Sequence, residues 1–356
     1  MTRAILPDAV FTVSRGQDIF RTQEKLEKRE RPLNKVWDIL SVIIFPIGLA
    51  RLMFKGVRLI AASVILPARR MYTWNYQTQE RVQYLNELDG AREEFLRSYP
   101  GSAEQITIKT ADGIKLDTLA WYNPDQKEFP SDQQKWIIHF TGNAMCYEEQ
   151  LDSLEQLSAD TGANVYLFNY RGVMRSEGSF TRTHDLVVDG EAVVQHLLSK
   201  GVPEENILIH GYSLGGAAGA EVASNHKGMH HCNERSFSSI PNFIKGMLSK
   251  LPKCLASGLG SIVGKIVEIS GQKFDSFKHY RNITGNKFLI YCAMDEVMQD
   301  PAGLYLKVHE RAENTIRLSD EYGHCEAMEG TSYESYISKV QQALQLELSP
   351  KLAPLC

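Results

Sequence analysis

The sequence predicts an α/β protein with a mostly parallel sheet and helices on both faces. Three observations carry this. Short apolar runs of strand length recur at 135–140, 164–170, 206–210 and 287–292. Stretches with helical spacing separate them, as at about 185–200, where Leu186, Val187, Ala192, Val193, His196 and Leu197 recur as inner positions. Parallel neighbours need such crossover connections, and a sheet covered on both faces needs continuous apolar strands. Third, the run ending at His210 breaks at Gly211-Tyr212-Ser213-Leu214-Gly215, and small residues then open a helix.

The chain has 356 residues, enough for one large domain with an appendage. We divide it into a helical, partly apolar N-terminal appendage, 1–100, and an α/β domain, 101–356, with a helical cap inserted at about 241–284. Hydrophobic residues make up 43% and charged residues 23%, as in ordinary globular proteins, and the formal net charge is −4. Nucleic-acid binding calls for a basic face, so no nucleic-acid partner is expected. The six cysteines are far apart and form no CxxC pair, which argues against zinc and dithiol chemistry and fits a reducing, intracellular compartment. Residues 1–34 are polar and charged and lack the pattern of a secretory signal.

In chain order, residues 36–66 are apolar in two pieces, broken by Pro46-Ile47-Gly48 and by Arg51, Lys55 and Arg58. Neither piece reaches the roughly 20 residues that span a bilayer. Three cations near the middle of one span would cost roughly 2.5–3.5 kcal/mol each. An interfacial helical pair and a helical layer on the core both remain open; apolar residues on more than one helix face favour contact with a membrane surface. A polar amphipathic helix follows at 72–96. Residues 105–109 alternate, Ala111-Asp112-Gly113 turns, and 114–121 alternate again, which predicts a hairpin. The segments 135–140 and 164–170 read as strands, 185–200 as a helix, 206–210 as a strand, 230–233 as a weak strand, and 241–251 and 256–270 as cap helices. The segments 287–292 and 315–318 are strands, and 333–346 is a closing helix.

Chemistry concentrates after three strands. Gly-x-Ser-x-Gly between a strand and a helix is the layout of a nucleophile elbow, with Ser213 at its tip. A serine hydroxyl needs an imidazole to take its proton and a carboxylate to hold that ring in the useful tautomer. His324 follows the short strand at 315–318, and Asp295 follows the strand at 287–292, with Glu296 and Asp300 as its rivals. The order Ser…Asp…His is that of α/β-hydrolases, and reactive groups gather at the carboxyl ends of parallel strands. Leu214, just past the nucleophile, and Asn143, in the loop Thr141-Gly142-Asn143-Ala144, are the expected oxyanion donors. His139, His210 and His231 lie in strand-like runs and read as core residues. His230-His231 lacks ligands at metal spacing, so no metal is expected, and the serine chemistry implies no cofactor.

Residues from about 104 to 345 thus resemble the α/β-hydrolase superfamily. Phe140-Thr141-Gly142-Asn143-Ala144 is similar to its oxyanion-loop motif, Tyr170-Arg171-Gly172 and Ser176-Glu177-Gly178 to its YRG…SEG loop, 185–216 to its helix and elbow, and Met294-Asp295-Glu296-Val297 to its acid loop. The apolar N-terminal pair, Gly-Tyr-Ser-Leu-Gly-Gly at 211–216, and Arg235-Ser236-Phe237-Ser238-Ser239 further resemble the CHLPS hydrolase-like proteins of intracellular bacterial pathogens. That resemblance implies a membrane-associated role or an effector released without a signal peptide. Thr141 stands where the superfamily has histidine, and Cys292 where it has glycine. The reading is a serine esterase, lipase or thioesterase. A catalytically silent binding protein of the same fold and an acyltransferase are the alternatives.

Overall fold

In the computed structural model, strands form where the sequence is apolar or alternating, and once where it is polar, at 230–234, and they assemble into one sheet. Residues 71–73, 77–248, 265, 267 and 269–346 are described. The apolar stretch 36–66 and cap residues 249–264 lie outside them. The strands are β1 (Ala103–Lys109), β2 (Lys115–Trp121), β3 (Trp136–Phe140), β4 (Asn164–Phe168), β5 (Ile207–Tyr212), β6 (His230–Glu234), β7 (Lys287–Tyr291) and β8 (Thr315–Arg317). The order across the sheet is β1-β2-β4-β3-β5-β6-β7-β8. The first two strands form the hairpin, and β2 is antiparallel to β4 as well as to β1. From β4 to β8 every pairing is parallel.

The helices are α1 (Gln79–Ser98), α2 (Leu151–Thr161), α3 (Thr183–Ser199), α4 (Leu214–Asn225), α5 (Ile240–Leu248), α6 (Ser276–Asn282) and α7 (Gly330–Leu344). Strand periodicity sorts the core into two layers. Ile138, Phe140, Tyr166, Phe168, Ile207 and Ile209 pack with residues of α3, α4 and α6 in one continuous cluster. Their alternates face the other way and divide. Val165 and Leu167 join α2, whereas Ile137 and Leu208 join α7. Only at Leu157 do these two clusters share a partly buried neighbour among the described residues.

The first helix, α1, is anchored by charge as well as by Leu85. Arg92 is fully buried and donates to Asp89 at 2.6 Å and Glu148 at 3.4 Å, with Asp117 at 3.7 Å. Arg175 holds Asp89 from the other side at 2.5 Å. Burial pushes the Asp117 and Glu148 carboxyls up, the latter to about 7, with the nearby Asp117 charge adding to the effect on Glu148.

Candidate active site

At the end of β5 the chain must turn straight into α4. Ser213 takes φ +52°, a conformation that costs a non-glycine residue energy and is tolerated where the surroundings fix it. The turn closes because its flanks lack side chains. A Cβ on Gly215 would lie 2.0 Å from the Phe140 carbonyl oxygen, and one on Gly211 would lie 2.5 Å from that of Gly215. Neither neighbour is a side chain that can swing away.

Three separate strand ends bring their residues to this turn. The Ser213 hydroxyl lies 3.0 Å from Nε2 of His324, and Nδ1 of His324 lies 2.7 Å from Oδ2 of Asp295. All three side chains are buried. The second Asp295 oxygen accepts the backbone N–H groups of Val297 and Met298, both at 2.8 Å. Burial would raise the Asp295 carboxyl, but the His324 hydrogen bond and charge, together with those amides, hold it below the usual carboxylate range. Glu296, the sequence rival, accepts the backbone N–H of His324 at 3.0 Å instead.

The His324 loop is gripped by residues that sequence reading did not single out for this role. Arg235 donates through Nη1 to the carbonyls of Gly323 at 2.9 Å and Glu326 at 2.7 Å. Tyr212 donates its hydroxyl to the His324 carbonyl at 2.5 Å. Arg235 is itself held by Glu234 at 2.5 Å, and Glu234 accepts Nε2–H of His210 at 2.8 Å. The Tyr336 hydroxyl meets Nδ1 of His210 at 3.0 Å. Burial works against the Glu234 charge, yet the His210 and Arg235 contacts bring its pKa down to about 2. A Glu-Arg pair at the carboxyl end of an inner strand was the available signal. Cys292 donates its thiol toward the Tyr322 carbonyl at 3.1 Å, tying the acid loop to the histidine loop.

Asn143 and Leu214 line the same cavity as Ser213 and His324. Leu214 is the first residue of α4, where N–H groups have no partner within the helix. Ala144, next to Asn143, is at φ +58°. Its carbonyl accepts from Tyr72 at 3.0 Å, and the same hydroxyl lies 2.7 Å from Glu149. The cavity, about 1070 Å³, is walled largely by Leu, Ile, Val, Met and Phe side chains from both sides of the elbow. Among the described residues no group of three or more His, Cys, Asp or Glu is placed to hold a metal ion, and no helix is long and apolar enough to cross a membrane.

Sheet order, elbow and the Ser–His–Asp file together define an α/β-hydrolase fold. The solved structures agree. An α/β-hydrolase from Vibrio vulnificus superposes with a TM-score of 0.51 at 20% identity, over 75% of this chain and 86% of that one. An esterase from Pyrococcus furiosus gives 0.50 at 19% identity, over 68% of this chain and 90% of that one. Within the fold, the model of the Chlamydia CHLPS protein (DUF818) family matches residues 9–307, and the chain belongs to that family. In sequence it is also 28% identical over 193 residues to the α/β-hydrolase domain-containing protein WAV2 of Arabidopsis thaliana. That match takes in 51% of this chain and 59% of the plant protein, less than two thirds of its length.

Proposed function

We propose that the chain is a serine hydrolase that cleaves a carboxylic ester or thioester of an apolar acyl group by way of an acyl-enzyme. The observation that carries this is the file Asp295–His324–Ser213 opening into a large apolar cavity. Nδ1–H of His324 bonded to Asp295 leaves Nε2 free to take the Ser213 proton as Oγ attacks the carbonyl carbon. The backbone N–H groups of Leu214 and Asn143 meet the oxyanion, and one such donor is worth roughly 10²–10³ in rate. His324 then gives its proton to the departing alkoxide or thiolate. Water, activated by the same imidazole, attacks the acyl-enzyme, the acid leaves, and Ser213 recovers its proton. The buried Asp295 carboxylate stays ionised throughout and stabilises the imidazolium.

A fluorophosphonate probe tests the reading. Labelling of the wild type and not of Ser213→Ala is expected, together with turnover of acyl esters of graded length. A folded wild type that takes no label overturns it in favour of a silent binding protein. Acyl transfer to an added alcohol at the expense of free acid would replace hydrolysis by an acyltransferase reaction. We also propose that residues 36–66 bring the enzyme to a membrane surface. The full chain should float with liposomes, and a chain lacking 36–66 should not.

A further inference from the structure

The cavity extends to two sides of Ser213. One side is walled by Phe237, Ile240, Phe243, Val267 and Met298, from α5, from the segment between α5 and α6, and from the loops after β6 and β7. The other lies on the opposite flank, under β3 and β4. Its walls are His139, Leu154, Leu157, Leu167, Tyr333 and Tyr336, from the sheet and from α2 and α7. This second arm coincides with the seam in the core. The α3–α4 face is one continuous cluster, whereas the α2–α7 face is split in two, with Leu157 at the division.

His139 belongs to neither cluster. It sits in β3, paired on both sides by β4 and β5, yet it is only half-buried, because it borders the cavity. Among the described residues its ring has a neighbour, His210 at 4.9 Å between centroids, but no hydrogen-bond partner. The packed sheet around it, and then the His210 ring, hold its pKa below the usual imidazole range, so at neutral pH it carries one donor and one acceptor. Two other polar side chains here are engaged: His210 through both nitrogens as described, and Tyr333 through its hydroxyl on Asp160. A plain alkyl chain would cover His139 without satisfying it, and buried polar groups are ordinarily paired.

We infer that the arm between α2 and α7 is a second substrate subsite, taking an apolar chain that carries a hydroxyl or carbonyl group within reach of His139. This rests on the reading of Ser213 as the reacting group, but its test uses binding alone. Oleic acid and ricinoleic acid, which differ by one mid-chain hydroxyl, would compete with a dansyl-labelled alkanoic acid on the full-length chain. Ricinoleate should bind about tenfold tighter, the size of one good neutral hydrogen bond. His139→Phe should abolish that preference. Leu157→Trp, which fills the arm, should weaken both acids about tenfold or more. A diazirine-bearing fatty acid on the wild type should crosslink peptides of α2 or α7, which needs no variant to fold. Crosslinks confined to α5 or the outer surface, no saturable binding, or equal affinities for the two acids in the wild type would each overturn the inference. Loss of fluorophosphonate labelling with arm binding intact rejects only the hydrolase; labelling without arm binding rejects only the arm.

Discussion

Replacing Asp295 by Asn should disable the site through a tautomer, and the structure says which way the new amide turns. One Asp295 oxygen accepts two backbone N–H groups, from Val297 and Met298, both at 2.8 Å. An NH₂ group there would face two donors, so the amide oxygen must take that place. The NH₂ then points at Nδ1 of His324, which in the wild type donates to Asp295 across 2.7 Å. Nδ1 has to become an acceptor, the ring proton moves to Nε2, and Ser213 faces a donor in place of a base. The same change in a serine protease triad lowers kcat by about 10⁴, or roughly 5.5 kcal/mol at 1.36 kcal/mol per tenfold. Ester turnover and the rate of fluorophosphonate labelling would both report it, with circular dichroism to verify folding. Glu296→Gln is the control. It keeps an acceptor for the His324 backbone N–H, so its loss should stay under about tenfold, less than one neutral hydrogen bond removed. If Asp295→Asn kept more than a tenth of wild-type kcat, or if Glu296→Gln were the more damaging change, the assignment of the acid would be wrong.

Arg92→Met should destabilise the chain by about 3–5 kcal/mol in urea unfolding, because it leaves the Asp117 and Glu148 carboxyls buried without their cation; a loss below about 1 kcal/mol would refute that role. Gly215→Ala should give little soluble protein and no labelling, since its Cβ would lie 2.0 Å from a backbone oxygen; soluble, normally labelled protein contradicts this. Glu234 has its pKa held at about 2 against an ordinary 4.5, so its charge stabilises the fold above pH 4.5, and that contribution disappears as the pH falls toward 2. The deficit of Glu234→Gln, on the order of 3 kcal/mol at neutral pH, should therefore shrink over that window, as read from melting temperature against pH.

The apolar runs made most of this sheet readable in advance, and the elbow was legible because small residues at 211, 215 and 216 have no other use in so tight a turn. The strand β6 was faint because its sequence, His-His-Cys-Asn-Glu, is polar although all five residues are buried. Tertiary partners account for that. His230 donates to the Glu205 carbonyl, His231 to that of Ile209, and Asn233 to that of Gly216. The helices α2 and α6 were not singled out; α6 is seven polar-rich residues that bury only Ser276 and Tyr280, too short for a period to show. The Arg235 clamp and the Glu296 contact depend on which loops meet, which no local pattern encodes. His139 read as core, and its position in a strand gave no sign that the neighbouring layer would part beside it.

Tyr72 has a consequence for how this chain can be divided. It lies a few residues beyond the apolar stretch, is buried, and gives its hydroxyl to the loop that carries Asn143, while its carbonyl accepts the Met174 N–H at 2.8 Å. At Tyr72 the chain is thereby tied to the Asn143 loop and to Met174 before it reaches the first helix. A chain trimmed to begin at residue 101 would remove not only a lead-in but also one wall of the pocket's support: Tyr72, Leu85 and Arg92 would go together. Such a fragment would lack the hydrogen bonds that Tyr72 gives to the Asn143 loop and Arg92 gives to Glu148.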